Sequence, residues 1–383
     1  MKKTKLSKSK AETVYIKRRG IPKGCQYCLE GAKTVLFLNG ICQNPEHCWW
    51  YCPISQERKG KQFTFANEIQ INSKDELIEE IDITNAKGMS ITGGDPLFEA
   101  NLEKTIQYIR YVKKKKGKSF HIHLYTNGEN FSNSIAEQLS NAGLDEIRFN
   151  PSELNWHVIN FALKKGMTVG LEVPIIPEKK YIDDLEKLIV YLDTIGADFI
   201  NLNEFEYCFP NSEQLKNRGF KLKEGTLASV ENSKDWALEL IERVAPKVSI
   251  KIHFCPIIAK DFWQLKERYR RRAANIKFPY EYINDEGLLM FGQIEGNINT
   301  LEEFNKFIRE EYKMPEEYME FKNDTFKLPL SIVLNNDFLK YLEEYDLNGF
   351  IIEMTPFREK EYCQITEKTP IKLFKEEYEY YVG

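Results

Sequence analysis

Five of the eight cysteines, Cys25, Cys28, Cys42, Cys48 and Cys52, fall within 28 positions, while Cys208, Cys255 and Cys363 are scattered. Thiolates are soft ligands that suit zinc or an iron–sulfur cluster. In a reducing compartment such clustering favours metal binding over disulfides. Cys25-Gln-Tyr-Cys28 is a tight C-x2-C pair of the kind a zinc knuckle uses. With Cys255, and with His253 or Cys208 as a further ligand, it makes a candidate second metal site. The other three lie on one segment, Ile41-Cys42-Gln-Asn-Pro-Glu-His47-Cys48-Trp-Trp-Tyr51-Cys52, without a knuckle. One loop carrying three thiolates can wrap one face of a metal site or cluster.

Other polar groups fall at the ends of apolar runs: Gly93-Gly94-Asp95-Pro96, Thr126-Asn127-Gly128, Phe149-Asn150-Pro151, Glu172-Val173-Pro174, and Asn201, Asn203, Glu204 and Glu206. Glycines let another backbone or a ligand come close, and an acidic side chain accepts from an ammonium. Asn127 and Asn150 can equally cap loops. Glu172 and Glu206 need partners if they point inward, because an unpaired buried carboxylate is costly. His121 and His123 alternate along one run and read as structural.

These residues need elements to hold them. From about residue 33 a short apolar run, a polar loop and a longer segment of helical periodicity recur. The predicted strands are Thr34–Asn39, Met89–Thr92, Phe120–Tyr125, Glu146–Phe149, Thr168–Pro174, Phe199–Asn203 and Val248–Phe254. They read as continuous apolar runs, as for parallel strands buried on both faces. The predicted helices are 74–86, 102–115, 134–141, 154–165, 183–194 and 227–244. Gly88, Gly117, Gly143, Gly166 and Gly196 each follow one of the first five, where a left-handed C-cap is expected. The fold class is α/β, a partial or full βα barrel of six to seven parallel strands. Its functional end is where strands finish and loops begin.

The cysteine loop after the first strand resembles that of the radical S-adenosylmethionine (SAM) superfamily, in its archaeal-type branch related to pyruvate formate-lyase activating enzymes. That family places C-x3-C-x2-C there, with an aromatic residue before the last cysteine. The resemblance implies a [4Fe–4S] cluster on Cys42, Cys48 and Cys52, with Tyr51 near the adenine. Here the spacing is C-x5-C-x3-C, and Cys25 or Cys28 can displace one of the three. Gly93-Gly94-Asp95 looks like the family's GGE segment, which receives the SAM amino group. Asn127, Asn150 and Glu172 are further cofactor-binding candidates. The likeness extends over about residues 20–256, including Gly24-Cys25 and Gly31-Ala32-Lys33. It implies an oxidoreductase-type radical enzyme with an external electron donor of flavodoxin or ferredoxin type. The substrate stays open between RNA, a protein such as a glycyl-radical enzyme, and a small molecule.

The division read from the sequence is 1–32, a basic tail and the Cys25/Cys28 segment; 33–256, the barrel; and 257–383, a C-terminal α+β extension. The first twelve residues, with five lysines and no aromatic residue, read as a disordered tail. Residues 260–276 read as a very basic helix, and Arg268 to Arg272 as a patch able to meet phosphates. That supports an alternative function, a zinc-stabilised nucleic-acid-binding protein without catalysis. With 54 basic and 58 acidic residues the net charge is −4, so no global attraction to nucleic acid is expected. Hydrophobic content of 42% argues against disorder. Without a long apolar segment or signal core, a cytoplasmic protein with no membrane partner is expected.

Overall fold

A computed structural model describes residues 5–322 and 324–382. The chain forms two compact units, Met1–Leu265 and Lys266–Gly383.

The first unit holds seven parallel strands: β1 (Lys33–Phe37), β2 (Gly88–Thr92), β3 (His121–Thr126), β4 (Glu146–Phe149), β5 (Thr168–Ile175), β6 (Phe199–Glu204) and β7 (Lys251–Cys255). They pair in chain order, and the sheet has two free ends. This is a partial barrel. At one end β7 pairs with Val14–Ile16, which pairs with Leu6–Lys8; at the other β1 pairs with Thr64–Ala66. Residues 6–8, expected within a disordered tail, are thus a strand, because Val14–Ile16, itself paired to β7, offers them a free edge and the core takes Leu6. Residues 1–4 of that expectation lie outside the described residues.

Helices α2 (Lys74–Ile83), α3 (Glu99–Lys116), α4 (Asn133–Ala142), α5 (Lys179–Ile195), a short α6 (Ser212–Asn217) and α7 (Ser233–Val244) fill the crossovers. Ser73 and Ser132 cap α2 and α4 by accepting from Glu76 N and Ile135 N. Gly143 and Gly196 end α4 and α5 in the left-handed conformation. Gly88 does not act as a cap; Asn85 takes the positive φ there, and Gly88 opens β2. Residues 153–161 wind as a 3-10 helix rather than an α-helix, and 227–232 precede α7.

The strands are not apolar on both faces. Thr34, Leu36, Met89, Ile91, Ile122, Leu124, Ile147, Phe149, Val169, Leu171, Ile200, Leu202, Ile252 and Phe254 point outward, and all but Thr34 join the main apolar core under the helices. The alternate positions carry Lys33, Ser90, His121, His123, Tyr125, Glu146, Arg148, Glu172, Asn201, Asn203 and His253. Register aligns Ser90 with His123, His123 with Glu146, Tyr125 with Arg148, Glu172 with Asn201, and Asn201 with His253. Period-two alternation therefore sends a polar stripe of each strand into the barrel.

A helix before β1, α1 (Lys23–Leu29), packs on β1, β2, β3 and residues 258–264. A Cβ on Gly24 would lie 2.4 Å from His123 Nδ1. Only glycine lets α1 come this close to the polar stripe.

The second unit is an antiparallel sheet in the order 320–322, 325–328, 289–295, 348–354, 365–370, with 282–283 also on 289–295. Phe304, Phe326 and Phe338 centre its own core. Arg272, expected on an open basic patch, is buried there, donating to Pro356 O and paired with Glu359.

Candidate cluster and cofactor site

The three loop cysteines share one cavity of about 490 Å³ with part of the polar stripe: Lys33, Ser90, Tyr125, Arg148, Glu172 and Asn203. Cys42, Cys48 and Cys52 line one end; Lys33, Arg148 and Glu172 line the barrel wall. The loop is held by its aromatic residues. Trp50 is buried, stacked on Phe220 at 6.0 Å and edge-on to Phe205. Tyr51 packs on Phe205, receives a hydrogen bond from Asn150 Nδ2 at 3.0 Å, and its carbonyl accepts from Asn211 Nδ2. Burial raises the Tyr51 phenol well above its ordinary value. His47 Nε2 meets the Asn150 carbonyl at 2.8 Å.

Cys42 Sγ accepts from Asn44 N at 3.3 Å and faces Asn127 Nδ2 at 3.8 Å. Asn127 Oδ1 in turn accepts from Gln43 Nε2 and Glu129 N, both at 2.9 Å. Gln43 gave no signal in the sequence, since a lone glutamine in a loop has no chemistry-specific spacing. Burial, then the other two thiols, pushes the Cys48 thiol up; burial also raises Cys42. Among the described residues no three His, Cys, Asp or Glu side chains converge on one ion. A cluster does not require that, because each thiolate binds a different iron. Three mutually interacting thiols on one cavity wall, with N–H donors on Cys42 sulfur, fit a cluster held at three corners.

Gly93 and Gly94 hold the loop's root. Gly94 N donates to Asn39 O at 2.8 Å and Asp95 N to Ile41 O at 3.0 Å. A Cβ on Gly94 would sit 2.0 Å from Ile41 O, and one on Gly93 2.3 Å from Asn39 O. Both glycines line the cavity.

Asp95 does not line it. Its carboxylate, expected to receive an ammonium, is 1% exposed and turned inward. It accepts from Leu97 N at 2.7 Å, Asn127 N at 2.8 Å and Thr126 Oγ1 at 3.1 and 3.0 Å. With every oxygen engaged, Asp95 ties the end of β2 to the end of β3. Burial lifts its pKa to about 6 against those hydrogen bonds. Since the folded value lies above the ordinary one, the carboxyl's stabilising contribution is full below about pH 4 and lost as pH rises through 6. The stability of the protein relative to an Asp95→Asn variant therefore falls by about 2 kcal/mol between pH 4 and pH 7. Urea unfolding of both at several pH values checks this; a pH-independent difference refutes it.

Glu172 lines the cavity and has the partners its burial demands: Arg148, Asn201 Nδ2 at 3.0 Å and Asn203 Nδ2 at 3.0 Å. Arg148 also pairs with Glu146, which accepts from Gly24 N. Burial opposes the Glu146 charge, but Arg148 and His121 hold its pKa down, to about 2.

Cys25 and Cys255 are buried, and no third ligand joins them around one point among the described residues. Cys25 Sγ accepts from Asn201 Nδ2 at 3.1 Å, and burial raises its pKa to about 12. Cys28 lines the cavity. Cys208 N donates to Asn211 Oδ1, and Cys363 packs in the second unit. The sequence assigned no role to Gln43, and named Lys33 only as part of the Gly31-Ala32-Lys33 segment.

A partial barrel with a three-cysteine loop at the strand ends defines a class, and the chain belongs to it: residues 16–169 match the Radical SAM superfamily. The chain is 36% identical over 303 residues to a protein of Methanocaldococcus jannaschii whose name marks it as a candidate glycyl-radical enzyme activating enzyme, covering 76% of this chain and 78% of that one. Over 89 residues, 22% of this chain and 50% of the relative, it is 29% identical to the anaerobic ribonucleoside-triphosphate reductase-activating protein of Enterobacteria phage T4. Among solved structures, Streptococcus suis SuiB bound to S-adenosylmethionine is 9% identical with a TM-score of 0.40, covering 59% of this chain and 50% of that one. The protein is a radical SAM enzyme whose cofactors are a [4Fe–4S] cluster and SAM. That replaces the zinc-stabilised nucleic-acid-binding alternative. Among the described residues no helix is long and apolar enough to cross a membrane.

Proposed function

We propose that the chain removes a hydrogen atom from a glycine of a protein partner, leaving a glycyl radical. The observation that carries this reading is the single cavity running from the three thiols to the polar barrel wall. The name of the Methanocaldococcus relative supports the choice of a protein substrate. Cys42, Cys48 and Cys52 are the residues that would hold the cluster. When bound and reduced by an external donor of flavodoxin or ferredoxin type, it supplies the electron that splits SAM into methionine and a 5′-deoxyadenosyl radical.

The chain's own residues do the positioning. Gly93 and Gly94 keep the backbone thin beside the cavity, and Asn127 and Asn150 brace Cys42 and Tyr51. The Glu172–Arg148–Glu146 network keeps the wall polar, with both carboxylates held on one guanidinium. Apolar packing of Trp50 and Tyr51 against Phe205 anchors the loop.

The test is anaerobic incubation of reconstituted protein with SAM, dithionite and short peptides carrying α-deuterated glycine. Deuterium in 5′-deoxyadenosine, read by mass spectrometry, is expected. Unlabelled 5′-deoxyadenosine with every glycine peptide would refute the protein substrate while leaving SAM cleavage intact. No 5′-deoxyadenosine at all would refute the catalytic reading.

A further inference from the structure

Lys216, Arg218, Lys221 and Lys223 lie on the excursion that leaves β6 after Glu204 and enters α7 at Ser233. Lys216, Arg218 and Lys221 are exposed, and none of the four has a carboxylate within 4.0 Å among the described residues. None of them lines the cavity. The excursion is built onto the cysteine loop. Its α6 packs on Trp49–Tyr51. Leu215 and Phe220, each next in sequence to an exposed lysine, join Trp50 in a small apolar cluster. The Arg218 guanidinium lies 4.1 Å from the centroid of the Trp50 ring, and Asn211 Nδ2 donates to Tyr51 O at 3.0 Å.

Positive charge gathers here against the trend of the chain. Residues 42–61 and 208–223 carry seven cations and three carboxylates, Glu46, Glu57 and Glu213, whereas the whole chain has a net charge of −4. Apolar groups interleave with the cations: Trp49 is 43% exposed, Phe209 is 91% exposed, and Leu222 is exposed as well. Aromatic and aliphatic side chains among free cations suit a protein-binding face, and the charge favours an acidic partner.

The needs of the reaction identify the occupant. SAM and the hydrogen donor have to enter the chamber, but the electron does not. It can reach a cluster on Cys42, Cys48 and Cys52 through the loop itself, where Trp49 and Tyr51 stand beside Cys48 and Cys52 in the chain. A face set on those residues, outside the cavity, serves a reagent that stays outside. Complementary exposed charge speeds the encounter of two proteins, and a small contact lets them part again after one electron has passed.

We propose that Lys216, Arg218 and Lys221, with Trp49 and Phe209, form the docking face for a small acidic electron-carrier protein. One electron leaves the reduced carrier and enters the oxidised cluster; the carrier departs oxidised by one electron, and no bond forms or breaks in that step. This rests on the reading of an externally reduced cluster and not on the identity of the substrate.

The test uses the full chain carrying its cluster, without SAM or peptide. The probes are two acidic carriers, a flavodoxin and a plant-type ferredoxin, with dithionite as the small reductant. Calorimetry with the oxidised carriers is expected to give a Kd on the order of 10 µM for at least one of them, weakening about tenfold or more between about 50 and 300 mM salt. Lys216→Glu combined with Lys221→Glu should weaken binding at least about tenfold and slow bleaching of the cluster absorption by the reduced carrier by the same factor. Bleaching by dithionite should stay within about threefold, because a small ion needs no docking face. The corresponding pair of glutamine substitutions should give a smaller loss in the same direction. Melting temperature and iron content are expected to be unchanged in both, since the two lysines are exposed.

No binding of either carrier up to about 100 µM, equal binding by the unaltered and charge-reversed proteins, or equal slowing with dithionite would each overturn the proposal. A fall in melting temperature or iron content would mean that the lysines hold the loop, and would overturn it too. Deuterium transfer from the glycine peptides that falls under dithionite while carrier binding stays intact would assign the face to the protein substrate instead. Carrier binding and cluster bleaching involve no glycine. Their failure therefore leaves the deuterium-transfer result untouched, and failure of deuterium transfer leaves carrier binding measurable.

Discussion

Serine in place of Cys48 is expected to remove the iron–sulfur absorption of the anaerobic protein and to lower SAM cleavage by at least about a hundredfold, with Cys42→Ser and Cys52→Ser behaving alike. A hydroxyl is a hard, weakly acidic ligand and does not replace thiolate on iron. The fold should survive, because the loop is held by other groups: Trp50 among Phe205 and Phe220, and the Tyr51 carbonyl on Asn211. Cys25→Ser is expected to keep its iron, since that thiol is closed inside the protein against Asn201. Iron content, visible absorption and 5′-deoxyadenosine yield, measured on all four variants, decide the matter. Iron retained in Cys48→Ser and lost in Cys25→Ser would instead place the C-x2-C pair in the ligand set.

Alanine at Gly94 is the second large effect. Its methyl would sit 2.0 Å from Ile41 O and 2.3 Å from Ile41 C, both backbone atoms of the segment that leads into Cys42. No side chain there can rotate away, so the end of β2 must separate from the loop root and give up Gly94 N to Asn39 O and Asp95 N to Ile41 O. A loss of about 3 kcal/mol or more is expected, together with poor retention of iron. Gly117→Ala is the control. Gly117 has φ +87° but open space around it, so only backbone strain is introduced. That costs about 1 kcal/mol and should leave iron binding unchanged. Chemical denaturation and iron content of the two variants provide the comparison; equal losses would mean that close approach at Gly94 is unimportant.

The seven strands were legible because each apolar run is short, β-branched or aromatic, and set off by a helical segment. Their second property was also present but misread. His121-Ile-His123-Leu-Tyr125, Glu146-Ile-Arg148-Phe and Asn201-Leu-Asn203-Glu alternate polar and apolar residues. In a parallel sheet covered by helices, alternation marks an interior that is polar, and the apolar residues lie on the helix side. A period-two count would have located Lys33 and Arg148 on the chamber wall. The tail failed for another reason: residues 6–8 have no intrinsic strand signal, and pairing with the free edge of the sheet orders them.

Composition and spacing alone determined that the cysteines crowd onto one loop after the first strand, that a βα repeat carries them, and that glycines and amides cluster at strand ends. Those are properties of local order along the chain. Only the tertiary structure decided where the side chains point. Asp95 faces Thr126 and Asn127 and leaves no oxygen for a ligand, although its position in the motif suggested one. Gly93 and Gly94 make room first for the backbone of residues 39–41. Lys33, which had no role in the sequence reading beyond its place in the Gly31-Ala32-Lys33 segment, lines the chamber and meets His123 Nε2 at 2.9 Å. Whether a charged group is spent on the fold or free for a substrate depends on which other groups the barrel brings within hydrogen-bond distance, and spacing along one chain does not carry that information.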